Sequence, residues 1–418
     1  SYLAQSSKAL YSYVDSAGLP FSFTDAYGKL SFNGANGSKF NLFGFNFSDA
    51  VEYRGASDLG WNNWGAGTNF VLVPEGSGIL IDGIFAVSNY KIELREADLD
   101  PRSSEIAGFN GGLNFKYFTG ANEARYGIEL LGFRTNFKFY NSVGRVIEQE
   151  ENTTEFAGYF NYRWNMGKAP ASASYDHTLV LDPGIRVHYY ASLAVANIEP
   201  RFGLKWNIND NLRFKVAAGR YSQNLVAANS DRDVVNLFYG FLSSPTDVPD
   251  NIKLPDGETR TVKDALQRAN HLLGGFEVDP TRDITVNIEG YYKDFRQVTN
   301  LNRNKIYEDN EQFAEKPEEL RKDFIIETGS AYGADIAIKY EKGKAYLWAV
   351  YSLGFVKRFD GTTEYSPIWD RRHNVNLLAS YNFGLHDSWK ASARFNFGSG
   401  FPFTARTSST STACATSA

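Results

Sequence analysis

The 418-residue sequence has one cysteine, one methionine and five histidines. A lone thiol, Cys414, can build neither a disulfide framework nor a thiolate metal site. Long apolar runs are also missing. No window approaches the roughly 20 consecutive apolar residues that a membrane-spanning helix needs, and mean hydropathy is −0.38. A basic excess is absent: the formal net charge is −5 and the pI about 5.7. A phosphate backbone asks for the opposite sign, so nucleic acid is not an expected partner. The first residue is Ser1, with no basic n-region and no apolar h-region behind it. Either a signal has been removed or the chain is the interior of a longer one.

Catalytic patterns are missing as well. His177, His188, His271, His373 and His386 are scattered, with no HExxH and no pair at ligand spacing. No P-loop, GxSxG or strand-linked GxGxxG occurs. The expectation is a chain that is not an enzyme, with no catalytic residues, no metal and no cofactor.

Aromatic residues are abundant: 32 Phe, 25 Tyr and 7 Trp, 15% of the chain, beside 37 Gly. That content excludes wholesale disorder. Much of the chain alternates with period two. In "NLRFKVAAGR" from Asn211, Leu212, Phe214, Val216 and Ala218 share one face, and Arg213 and Lys215 the other. Segments from Asp283, Ala334 and Lys390 repeat the pattern. Such alternation marks strands with one apolar and one polar face.

Short polar turns are predicted at 34–38, 74–78, 119–123, 166–177, 207–210, 279–282, 341–344 and 384–388, eight turns joining sixteen strands. Longer polar loops are predicted near 49–60, 96–103, 141–152, 222–270, 296–330 and 356–371. Short and long connections then alternate, as in an up-and-down transmembrane barrel with tight periplasmic turns. Aromatic pairs flank four short turns, Tyr340 with Tyr346, Tyr381 with Trp389, Trp206 with Phe214, and Tyr117 with Tyr126, the height of an interfacial girdle. Soluble barrels alternate too, and strand number decides between them: sixteen strands enclose a lumen too wide to fill with side chains. Arg213, Lys215, Glu289, Lys339 and Arg394 are therefore expected to face water, and Val216, Ile288, Ile338 and Phe395 lipid. Two local features stand out. A parity change at Leu130–Leu131 suggests a bulge, and helical spacing over 261–272, stopped at Gly274–Gly275, predicts one helix in the 222–270 loop.

The strings "RFKVAAGRYSQN", "DRDVVNLFYGFLS", "DRRHNVNLLASYNFG" and "ARFNFGSGFPFT" resemble the barrel of TonB-dependent outer-membrane receptors, in particular those of Bacteroidota-type bacteria. The resemblance runs from Ser1 to about Thr404. It implies a barrel of about 22 strands, with roughly three strands before Ser1, three after "GSGFPFT", and a plug outside this sequence. It implies residence in the outer membrane of a Gram-negative bacterium and uptake of a scarce large substrate, a siderophore, glycan or peptide. Energy would come from the TonB complex acting through the plug. Implied partners are outer-membrane lipid, the TonB complex, and a surface lipoprotein or larger outer-membrane assembly. The expected domain layout is a partial barrel over 1–407 and a low-complexity tail over 408–418, made only of Ser, Thr, Ala and Cys.

Ligand-contact candidates come from expected outer loops. "WNNWG" sets Trp61 and Trp64 around Asn62 and Asn63, a group able to stack on a sugar or siderophore ring, or equally to form an upper girdle. "DRDVV" supplies Arg232 and Asp233, and "DRRHN" supplies Asp370 and Arg372. Ion pairing that orders a loop base is the first reading of both clusters, ligand contact the second. Two other classes compete with transport: a receptor-like barrel acting as a structural or binding subunit of a larger outer-membrane complex, and a soluble secreted β-protein. No blade-length repeat supports a propeller.

Overall fold

The computed structural model describes residues 21–53, 57–96, 99–141, 144–168, 173–229 and 238–402. The opening segment, the low-complexity tail with Cys414, and Arg232 and Asp233 lie outside the described residues. Among the described residues there is no α-helix. Single 3-10 turns occur at Ala191–Leu193, Glu311–Phe313, Glu318–Leu320 and Leu385–Asp387. The rest of the regular structure is antiparallel β.

The strands in chain order are β1 (Phe21–Asn33), β2 (Lys39–Tyr53), β3 (Ser57–Leu72), β4 (Ile79–Glu96), β5 (Leu99–Thr119), β6 (Asn122–Tyr140) and β7 (Val146–Lys168). Next come β8 (His177–Tyr190), β9 (Val195–Asn209), β10 (Leu212–Gln223), β11 (Leu225–Asn229), β12 (Tyr239–Ser243), β13 (Asn251–Lys253) and β14 (Thr259–Thr261). The chain continues through β15 (Gln267–Thr281), β16 (Ile284–Leu301), β17 (Phe324–Lys342), β18 (Ala345–Phe359), β19 (Glu364–Tyr365), β20 (His373–Phe383) and β21 (Trp389–Gly398). One 17-stranded sheet holds all but the small hairpins β11–β12 and β13–β14. The two-residue β19 caps the end of β18, and the other sixteen strands neighbour one another in chain order. This is the all-β, up-and-down antiparallel architecture expected, with seven short turns where they were predicted; the eighth, 166–177, lies partly outside the described residues. Several leave only two residues between strands, and the one at Gly343–Lys344 needs Gly343 at φ +56°, a left-handed position that favours glycine.

Register assigns every side chain to a face. Phe214, Phe276, Ile288, Ile336 and Tyr351 are successive cross-strand partners on one face, and Ile288 is 44% exposed. Val216, Ile338 and Phe395 share that outward face. Arg213, Lys215, Glu289, Lys339 and Arg394 lie on the other, as expected. Aromatic partners flank three of the four turns on the outward face: Trp206 sits opposite Phe214, Tyr126 stacks on Phe115 one residue pair from Tyr117, and Trp389 stacks on Phe383 beside Tyr381. Tyr346 departs from the pattern. It pairs with Glu341 on the inner face, below Lys339.

The sheet is curved. The hairpin β11–β12 touches β5, β6 and β7 with β12 and β16 with β11. Those strands are separated in the sheet by β8, β9, β10 and β15, so the wall bends around the hairpin. One buried apolar cluster joins Leu59 and Ile92 from β3 and β4, Phe137 and Ile147 from β6 and β7, Phe238 and Leu242 from the hairpin segment, and Leu301 and Phe324 from β16 and β17.

Three expectations are overturned. The 261–272 segment is not helical. Leu272 and Phe276 face outward, 54% and 46% exposed, and β15 pairs with both β10 and β16 through Gly274–Gly275. Residues 262–266 are irregular, and from Gln267 neighbours on both sides supply the ladder bonds that make the rest strand, against the helical spacing. Nor is there a bulge at Leu130–Leu131, where register runs unbroken against both β5 and β7. Parity changes because the environment does. Below, the outward face is apolar (Tyr126, Ile128, Leu130). Above, it is polar (Arg134, Asn136, Lys138), and Phe133, Phe137 and Phe139 turn inward and are buried. Finally, the polar segments 49–60, 96–103 and 141–152 are largely strand. β5 and β7 reach 21 and 23 residues, whereas a membrane crossing takes about 9–11. Polar residues there continue strands above the lipid. Only the connections after β10, β16 and β18 are long.

Neighbouring residues 288 and 289 test the face assignment. Ile288→Lys places a cation in hydrocarbon and is expected to cost about 2–4 kcal/mol, seen as a smaller folded fraction on unheated gels. Glu289→Gln, facing the lumen opposite Asp335, is expected to change stability by less than about 1 kcal/mol.

Candidate functional site: the inner wall and the mouth

Polar residues on the inner face satisfy one another across strands. Arg186 donates to Glu129 at 2.7 Å, Arg163 to Asp182 at 3.0 Å, and Arg213 to Glu277 at 2.6 Å and also to Asp279. Lys215 completes the Glu277 site, and His188 Nε2 lies 3.0 Å from Glu155. Charges of both signs alternate along this wall, so it is wettable without strong preference for one sign of solute. Among the described residues no group of three His, Cys, Asp or Glu side chains could hold a metal.

The mouth is built from the β10–β15 connection, which folds inward and is held by side chains from strands all round it. Ser104 of β5 both accepts from the Phe241 amide at 2.8 Å and donates to the Phe241 carbonyl at 3.2 Å. Ser243 Oγ lies 3.0 Å from the hydroxyls of Thr135 on β6 and Thr153 on β7, and Gln149 donates to the Ser243 carbonyl at 2.7 Å. Ser244, at φ +46°, meets Ser192 at 2.8 Å and exchanges bonds with Asn224. On the far side Gln297 and Thr299 of β16 donate to the carbonyls of Asp264 and Ala265. Ser104, Thr135, Thr153, Asn224, Ser243 and Ser244 are all buried. Sequence reading missed this cluster. Its signal was an apolar run, 234–242, inside a loop otherwise polar, which demands burial somewhere.

The β16–β17 connection, residues 302–323, lies over that segment. Asp247 accepts from the Asp323 amide at 2.8 Å and pairs with Lys322 at 2.9 Å. Lys322 also reaches Asp309 at 2.7 Å, and Arg321 bonds the same carboxylate. Two contacts carry the connection across to the β6–β7 turn: Asn141 donates to the Lys305 carbonyl at 2.8 Å, and Arg145 lies 3.5 Å from Glu308.

The sequence candidates do not form one site. Trp61, Asn62, Asn63 and Trp64 stand on strand β3, not in a loop, because β2 and β3 stay paired from Tyr53 with Ser57 downward. Strand alternation therefore splits the motif. Trp61 packs on the mouth core and Asn63 shares its inward face, paired with Tyr90. Trp64 is outward and 45% exposed, and Asn62 lies beside Lys91 in a shallow outward groove. Asp370 and Arg372 sit at the base of the β18–β20 connection. Asp370 is 3% exposed, accepts from the Val356 amide at 3.0 Å and pairs with Arg372 at 3.1 Å. The Arg372 guanidinium also covers the Phe355 ring at 4.5 Å. Both groups are engaged in ordering the loop base.

Asp309 gives the mouth a pH dependence. Burial alone would raise its carboxyl, but hydrogen bonds with Lys322, Asp247 and Arg321 outweigh that and hold it at about 2. A lowered acid contributes stability that is present above the ordinary aspartate value and lost as pH falls through the folded value. Hydrogen exchange over residues 306–322, corrected for intrinsic rates, is expected to accelerate between about pH 4 and pH 2. Asp309→Asn should show fast exchange already at pH 5 and lose that dependence.

No known family model matches the chain, and no curated protein matches its sequence. Solved structures similar to it include the alcaligin outer membrane receptor FauA of Bordetella pertussis, with TM-score 0.59 and 10% identity, covering 91% of this chain and 61% of that one. The FrpB iron transporter of Neisseria meningitidis is similar at TM-score 0.59 and 10% identity over 88% and 58% of the two chains. A hemophore receptor, HasR of Serratia marcescens, matches at 0.59 and 10% over 91% and 64%. The chain thus spans about three fifths of the length of these proteins. The fold is that of outer-membrane receptor and transporter barrels, with an apolar outward face and a polar inner one.

Proposed function

We propose that the chain forms most of the wall of an active outer-membrane transporter of the TonB-dependent type. It would take up a scarce substrate too large for porins: a siderophore, a glycan or a peptide. The observation that carries this reading is the combination of an ion-paired, water-facing inner wall with a mouth filled by its own packed connection. An open diffusion pore has no use for such a mouth, whereas a receptor that admits solute only on demand does. In this reading the barrel spans 1–407 with 408–418 as a tail. The wall does no covalent chemistry, and energy reaches it through a plug segment that this sequence does not contain. Trp61, Asn63 and the segments around Arg232, Asp233, Asp370 and Arg372 are proposed to shape the vestibule. Outer-membrane lipid, the TonB complex and a surface lipoprotein are the proposed partners.

A second reading has one observation behind it. β1 and β21 each pair on one side only among the described residues, and an unpaired edge in hydrocarbon must be covered. Cover from other chains would make this barrel a binding or structural subunit of a larger outer-membrane complex.

A deletion strain separates the two. Under the transport reading, growth fails on one substrate class, ferric siderophore, glycan or peptide supplied as sole source. The same failure follows deletion of TonB or collapse of the proton-motive force. Unchanged growth on all three, with loss of co-purifying outer-membrane proteins instead, would establish the subunit reading.

A further inference from the structure

We propose that residues 238–266 of the β10–β15 connection form a seal across the barrel mouth that releases only as a unit, beneath the separate 302–323 connection. At rest the barrel is then shut from outside by its own chain, whatever lies in the lumen below. The inference rests on the membrane-barrel fold and is independent of the substrate class proposed above.

Three observations carry it. First, position: the segment touches β5, β6 and β7 through β12 and β16 through the Asp264 and Ala265 carbonyls, so it spans the concave side of the sheet instead of lining one wall. Second, the kind of attachment. Ser243 and Ser244 are 0% and 3% exposed and are hydrogen-bonded to Thr135, Gln149, Thr153, Ser192 and Asn224. Phe238 and Leu242, both 0% exposed, pack in the apolar cluster. Lifting the segment would strand several buried hydroxyls at once and expose two large side chains, so these contacts break together or not at all. The overlying connection meets the β6–β7 rim through the half-exposed pair Arg145–Glu308, beside a buried bond from Asn141 to the Lys305 carbonyl. Half-exposed pairs of that sort are readily exchanged for water. Third, the ends of the segment are pinned together, because Gln223 and Gln267 are direct cross-strand partners and Gln267 donates to the Leu225 carbonyl at 3.0 Å. A segment with adjacent ends, inserted inward and bonded on both sides, has the build of a stopper.

The test is thiol labelling in intact cells, with the native thiol removed by Cys414→Ser and a maleimide dye too large for porins. Leu131→Cys reports from the inner wall of β6 one strand-turn below Thr135, and Glu315→Cys is an exposed control. Leu131→Cys is expected to react on the order of 100-fold more slowly than Glu315→Cys. Replacing 225–265 by a short Gly-Ser linker, which the Gln223–Gln267 pairing allows, should bring Leu131→Cys to within a few-fold of the control. Should that variant fail to insert, Ser243→Asp supplies the same comparison by forcing a carboxylate between Thr135 and Thr153. Fast labelling of Leu131→Cys in the unaltered barrel overturns the proposal. So does slow labelling that persists in both variants, since something other than this segment would then close the mouth.

Discussion

A strand in this wall has hydrocarbon on one side and water on the other, and its backbone can bond to neither bilayer face. Every amide must therefore find its partner in the next strand. That requirement produces the chain-order pairing of sixteen strands, and pairing in turn fixes register, with side chains assigned alternately to lipid and lumen. Ile288 and Glu289 are adjacent in sequence and live in different solvents. The same constraint explains why the inner wall is laced with cross-strand ion pairs: long charged side chains that cannot point outward lie along the sheet and neutralise one another.

Above the lipid the constraint relaxes, and the architecture changes with it. β6 shows the crossover within a single strand, from Ile128 and Leu130 outward to Phe137 and Phe139 inward. The strands carry on unbroken while the apolar side of the sheet switches from outside to inside. An inward apolar face above the membrane needs something to cover it, and the β10–β15 connection provides Phe238 and Leu242. The mouth is thus a small soluble-protein core built on top of a membrane wall. It obeys the ordinary rules of a water-soluble interior, with apolar packing at its centre and buried hydroxyls that each find partners.

This two-solvent organisation also decides what could be read in advance. Period-two alternation in the lipid band is enforced residue by residue, so the turns, the strand count and the facing of Arg213, Val216, Lys339 and Phe395 were all legible. Above the band the outward and inward faces both meet polar surroundings somewhere along their length, and alternation no longer distinguishes strand from loop. That is why 49–60 and 141–152 read as loops, why "WNNWG" read as a clustered site although its tryptophans face opposite ways, and why Leu130–Leu131 read as a bulge. The 261–272 spacing failed for a different reason: its helical period is local, and pairing with β10 and β16 from Gln267 onward overrides it. Asp370 and Arg372 were placed correctly as a pair because their partner is two residues away. Ser243 and its hydroxyl partners, 90 and 108 residues distant in sequence, left no local trace.

Such a division of labour bears on how selectivity can arise. The wall beneath the mouth is set by the membrane and by its own ion pairs, which leaves it little freedom to recognise a particular solute. The mouth is under no such obligation. Its core must only stay packed, and the surfaces of its connections can vary without disturbing a strand below. Barrels of this fold can therefore share a wall at about one residue in ten and still bear names as different as iron transporter and hemophore receptor. Under the transport reading proposed above, recognition is to be sought among the residues that crown the mouth core, and the lipid-band wall should be indifferent to the solute.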